Sequence, residues 1–244
     1  MSSQALSELI TVLGAPFLAC VAMTGILGYL GLHVLRREIV FVDIAMAQIV
    51  AVGTIAAHLF FDAHDDLLAY LCSFGLAAMA AAFFAVTRRR ILEISAEAVI
   101  GVSYAIAAAA ALFLLGVAPE GHVHAQHMLA GSILWATWTD VLMSASAFAI
   151  VGLVLYVLRK PFERISSDYN AAARDGVRVV WWDFLFYLLI GVVITFAVRV
   201  GGVVVVFCLL VIPAIIAVMV SRSPISRLLV AWSAGVSGSL LGLL

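Results

Sequence analysis

Apolar residues fill this chain in blocks of roughly 15–25 positions separated by short polar breaks, the pattern of helices that cross a bilayer. The blocks predict spans at Leu9–Leu35, Ile39–Phe61, Leu67–Thr87, Ala98–Ala118, Val141–Leu158, Phe184–Val198, Gly201–Ser221 and Arg227–Leu244. The expectation is an all-α, polytopic helical membrane protein with about eight transmembrane spans. Met128–Trp138 offers an additional half-helix. A transmembrane barrel would instead show short segments of alternating polarity. No linker divides the sequence, so residues 1–244 read as a single membrane domain.

One polar break differs from the others. Arg159–Asp183 is the longest, and Ser166–Gly176 within it (SSDYNAAARDG) reads as a short capped helix. Ser166 or Ser167 can act as N-cap, Asp168 favours the first turn, and Gly176 suits the left-handed residue past the last turn. So short a helix is unstable alone in water. It needs a surface, and the run Ala171–Ala173, centred on Ala172, allows close approach to a groove. A helix offered in this way fits a transporter driven by a separate motor subunit.

Charge sets the orientation. Of the thirteen Lys and Arg residues, all but Arg199 fall in connections on one side: Arg36–Arg37, Arg88–Arg90, the 159–178 segment, and Arg222 with Arg227. The acidic 62–66 connection and Pro119–His127 fall on the other. The positive-inside rule makes the basic side cytoplasmic, with both termini outside and the 166–176 helix inside. The first apolar run is long enough to span and lacks a basic flank, so no cleavable signal peptide is expected. The predicted location is the inner (plasma) membrane, multi-pass. With 66% apolar and 11% charged residues, the chain has lipid as its surroundings and no basic surface for nucleic acid. Cys20, Cys72 and Cys208 lie scattered in apolar spans, so neither a disulfide framework nor a zinc cluster is indicated.

Few side chains could carry chemistry. Asp43 lies inside a span, where an ionisable group costs about 3 kcal/mol and faces a cavity or a partner. Near the inner end of its span it could also pair simply with Arg36–Arg37. Gln48 is deeper and suits an inter-helix hydrogen bond; on a helix it points about 140° away from Asp43. His122, His124 and His127, beside Glu120, are three of the six histidines. Imidazoles at that density suit Zn²⁺ or a similar ion, so an external loop bearing them could capture metal at a pathway mouth, or could simply be solvated. Pro213 interrupts the seventh span and frees a backbone carbonyl, a kink that can line a pathway, and Gly201–Gly202 opens that span. Trp135, Trp138, Trp181 and Trp182 fall where aromatic belts form. There is no G-x-x-x-x-G-K-[ST], so any ATP hydrolysis belongs to another polypeptide.

Three ordered segments resemble the ABC-3 family of zinc/manganese uptake permeases: Val40–Gly53 (VFVDIAMAQIVAVG), Phe162–Gly176, and Val200–Ala214 (VGGVVVVFCLLVIPA). Gly131-Ser-Ile-Leu134 fits a further family pattern between spans. The resemblance implies the ABC importer permease type of fold and import of a divalent metal ion, zinc or manganese class, on energy from a separate ABC ATPase subunit. It also implies an extracytoplasmic metal-binding protein and a second permease copy, as a homodimer. No cofactor would be bound by this chain; ATP would sit on the partner and the metal would be cargo. The coupling segment is expected at about 162–178, with Asp168, Ala172 and Gly176 contacting the ATPase. Metal handling would fall to Asp43, Gln48, His122, His124 and His127. The chain departs from the family's Gly-Asp-Ala-Leu-Ser-His pattern, placing Ile44 at the Asp position and Gln48 at the His position. Members also continue with another apolar stretch where this chain ends at Leu244. The alternatives are a proton-coupled secondary transporter, which would want several ionisable groups inside the spans, and an intramembrane metalloenzyme using the histidine cluster, for which no H-E-x-x-H is present.

Overall fold

A computed structural model describes residues 3–61, 66–90, 94–117 and 133–243. These residues are helical almost throughout, with no strand among them: α1 (Ser3–Arg36), α2 (Val42–Phe61), α3 (Asp66–Arg90), α4 (Ala96–Val117), a 3-10 turn (Ile133–Trp135), α5 (Trp138–Val157), α6 (Arg159–Ser167), α7 (Tyr169–Arg174), α8 (Val179–Val220) and α9 (Pro224–Leu243). Among the described residues, seven helices are long and apolar enough to cross a membrane. The half-helix expected at Met128–Trp138 appears, within the described residues, only as the 3-10 turn at its end.

At 42 residues, α8 is about twice as long as one span needs. It holds the sixth and seventh predicted spans. Its contacts with α1 show how. Asp183 pairs with Arg37, Phe186 lies edge-on to His33, and Gly201 packs against Met23. The chain therefore runs along α1 from its basic end toward its start. It then returns, because Gly31 sits against the Leu210 carbonyl and Ala214. The reversal is at Gly202, where φ is 76° and ψ 164°, a conformation open essentially to glycine alone. Seven long helices thus make eight spans, and every basic connection lies on one side.

Gly202→Ala is expected to cost about 1–3 kcal/mol, because its backbone cannot accept a Cβ without strain. Gly201→Ala should cost less, since the new methyl would meet only the flexible end of Met23 at 3.3 Å. Thermal unfolding of the two variants in detergent checks the hairpin; equal losses would deny Gly202 its role.

Helix α1 forms the axis. Along its apolar stretch 67% of residues are buried within the protein, against 17% for α4 and for α9, which lie at the outside of the bundle. Close approach comes from small residues, as is usual where packing must replace the hydrophobic effect between helices. A Cβ on Gly53 would lie 2.7 Å from the Ser73 Cα, so α2 and α3 touch backbone to backbone. Ser73 Oγ then bonds Thr54 Oγ1 at 2.8 Å across the same contact.

Where α1 ends, Glu38 adopts φ 55°, and the Ile39 N–H reaches back to the Val34 carbonyl (3.2 Å) while the Glu38 N–H reaches Leu35 (3.2 Å). This left-handed cap turns the chain sharply and leaves Arg36 and Arg37 on the last turn.

Candidate functional site

The 159–178 segment, expected on the cytoplasmic side, folds as two short helices with an elbow between them. α6 is amphipathic: Phe162, Ile165 and Ser166 are buried, while Glu163 and Arg164 are exposed. Asp168 then takes an extended conformation (φ −152°, ψ 102°) and accepts the Ala171 N–H at 2.8 Å, so it is the N-cap of α7. At the far end Gly176 has φ 78°, with the Val177 N–H donating to Ala172 and the Gly176 N–H to Ala173. The left-handed glycine read from the sequence is present.

Two expectations need correction. Neither Ser166 nor Ser167 is the N-cap, because α6 continues through both residues and Ser166 turns inward. Ala172 does not face outward: it is fully buried and packs with Ile165 and Val179 of the same chain. The face left open runs along Asp168, Ala173, Arg174, Asp175 and Gly176. Arg164 and Asp175 join α6 to the end of α7 at 2.5 Å, an ion pair half-exposed on both sides and worth little by itself.

What fixes the two helices to the bundle is a buried charge cluster that sequence reading missed. Arg37 Nη1 donates to Asp183 Oδ1 at 2.7 Å, with both side chains wholly inaccessible. Arg37 Nε donates to Ser166 Oγ at 2.8 Å, and His33 Nδ1 lies 3.0 Å from the same hydroxyl. The guanidinium stacks 3.8 Å over the Phe186 ring. Burial pulls the Arg37 pKa below its ordinary value, and the Asp183 carboxylate opposes that shift. Arg88 approaches Asp183 at 3.3 Å and covers the Tyr169 ring at 4.6 Å. One carboxylate thus gathers the ends of α1 and α3 and the start of α8, while Ser166 and Tyr169 attach α6 and α7. The missed signal was modest: an acidic residue just after Trp181–Trp182, opening an apolar run.

Asp43 sits in the first turn of α2 with 2% of its surface exposed. Its carboxylate accepts the Ile44 N–H at 2.8 Å. Arg37, the expected simple partner, is committed to Asp183 instead. Across from this turn, Glu97 at the start of α4 accepts the Phe41 N–H at 3.1 Å. Gln48 is partly buried one turn further along α2, on a different side. Pro213 is buried at the wall of an apolar cavity of about 340 Å³ between α1, α8 and α9. His122, His124 and His127 lie outside the described residues. Among the described residues no group of three His, Cys, Asp or Glu is placed to hold a metal.

The sequence matches the ABC 3 transport family over residues 10–244. A 150-residue stretch, 62% of the chain, is 30% identical to the manganese import system permease protein ScaB of Streptococcus parasanguinis and covers 53% of it. The ScaB of Streptococcus gordonii matches over the same length at 26% identity, covering 54% of that protein. The matched stretch therefore spans about half the length of these relatives. The fold superposes on PsaBC from Streptococcus pneumoniae, solved in complex with Fab, with a TM-score of 0.77 at 22% identity, over 98% of this chain and 86% of that one.

Proposed function

The chain belongs to the ABC 3 transport family, and on that premise we propose that it is the membrane permease half of an ABC importer for a divalent metal ion of the manganese or zinc class. The observation that carries this reading is the α6–α7 pair: two short helices outside the bilayer, the second capped at both ends, joined by buried ionic and aromatic contacts to the ends of three spans. A partner that pushes on the open face of α7 moves α1, α3 and α8 together. The partner in this reading is a separate ATPase, and bond-breaking chemistry belongs to it. A second permease copy completes the pathway, and a metal-binding protein delivers the ion outside. The chain holds no cofactor of its own; the metal is cargo.

Within the pathway, Asp43 supplies the negative charge that a cation needs, in place of the family's ligand pair at Ile44 and Gln48. His122, His124 and His127 gather the ion at the outer mouth, and Pro213 bends a span beside the cavity. The proton-coupled alternative has little to draw on, since Asp183 is neutralised by two arginines.

Co-reconstitution with a cognate ABC ATPase, followed by ATP-dependent uptake of Mn²⁺ and Zn²⁺ into vesicles, tests the function directly. Asp43→Asn keeps side-chain size and removes the charge, so uptake should fall about tenfold or more, as expected for a charged contact of about 1.5–3 kcal/mol. Gln48→Leu should lose only part of the rate. Wild-type uptake by Asp43→Asn would assign Asp43 to structure, and no metal uptake by the wild type would remove the reading.

A further inference from the structure

The run Arg88-Arg89-Arg90 closes α3, and successive residues on a helix point about 100° apart. Arg88 turns inward to Asp183 and Tyr169. Arg89 turns outward and lines a groove of about 480 Å³ between α3 and the start of α8. Arg178, the residue before α8, lines the same groove from the other side. Both are exposed, and neither has an anionic partner among the described residues.

The rest of the groove is apolar. On α3, Ala82, Ala85 and Val86 precede Arg89 at the three- and four-residue spacing of one helical stripe. On α8, Trp181 and Phe184 follow Arg178 at the same spacing, their rings 5.7 Å apart. Two facing stripes therefore run from a guanidinium at the cytoplasmic end to small and aromatic side chains deeper in the bilayer. Trp181 is 58% exposed, as suits an indole at the headgroup boundary.

We propose that this groove is a binding site for an anionic phospholipid of the cytoplasmic leaflet. The headgroup phosphate takes Arg89 and Arg178, and an acyl chain lies along Ala82, Val86 and Phe184. Guanidinium groups match phosphate oxygens in paired hydrogen bonds, and basic pockets between spans on the cytoplasmic side are where such headgroups bind. A soluble anion would leave the apolar stripes uncovered, whereas a lipid fills both ends. The groove lies on α3 and α8, the same two helices that Asp183 ties to the coupling pair, so its occupant touches elements that must move together.

Native mass spectrometry of the full chain, equilibrated in micelles with equal phosphatidylglycerol and phosphatidylcholine, tests the site. The wild type should retain phosphatidylglycerol in preference, and R89Q with R178Q should reduce that preference by about tenfold. R89K with R178K should keep most of it, and R222Q, a cytoplasmic arginine outside the groove, should keep all of it. Equal loss in R222Q would make the effect diffuse charge and overturn the site. Displacement by soluble glycerol phosphate would assign a free phosphate instead, and no preference in the wild type, as when a second copy of the chain covers the groove, would also overturn it. Lipid retention is read without transport, so the result stands apart from the proposed function.

Discussion

Replacing Asp183 by alanine is expected to leave Arg37 buried without a counter-charge and to cost about 3–5 kcal/mol, the range for breaking an inaccessible ion pair by removing one partner. Little protein should then survive extraction, and ATP-driven uptake should be lost. The informative companion is Asp183→Leu combined with Arg37→Met. Replacing both members by apolar residues of similar volume is close to neutral for stability, and Arg88, whose side chain is 13% exposed, keeps access to solvent, so this double variant should fold. Its α6 loses the Arg37–Ser166 bond as well as the tie to α8, so uptake should still fall while partner ATP hydrolysis continues. Full uptake by the folded double variant would reduce the cluster to a packing feature.

Ala172→Trp should be the second severe change. An indole cannot enter a fully buried alanine site between Ile165 and Val179, and overpacking of this kind costs about 1–3 kcal/mol or more. The elbow opens, α7 loses its seat, and permease-stimulated ATP hydrolysis should disappear while the spans remain inserted. Ala173→Trp makes the contrast, because Ala173 is exposed. It should leave α6 and α7 as resistant to limited proteolysis as in the wild type and still weaken the partner's docking. If Ala172→Trp kept both protease resistance and stimulated hydrolysis, the pair of helices would not be the coupling element.

Much of this architecture was legible because a bilayer imposes its own length scale. Spans announce themselves as apolar runs, and arginines sort to one side, so the helices and their connections follow from position along the chain. Gly201–Gly202 was readable as the start of the seventh span, and the reversal there needs a residue free of Cβ clashes. Gly176 was readable as a cap. The amphipathic α6 was not, since nine residues of mixed charge look like an ordinary basic loop until Phe162 and Ile165 find a wall to pack on. The outward face of the alanine run was misread because a buried and an exposed alanine look alike in sequence. Arg37 and Asp183 are 146 positions apart. Each reads locally as a flanking charge, and only the packing of the start of α8 against the end of α1 brings them together.

The axial place of α1 bears on how the protein is made. α1, the most enclosed of the spans, leaves the ribosome well before α9, one of the helices that cover it. Trp232 of α9 donates its indole N–H to the Gly25 carbonyl at 3.0 Å, and Gly235 closes on the Thr24 side chain. Until α9 arrives, Gly25 and Thr24 wait in lipid or against the insertion machinery without the partners that later cover them. Assembly therefore returns to α1 at a seam sealed between residues 207 apart. A ribosome stalled before Trp232 would leave a nascent chain whose α1 is inserted but still exposed along that seam.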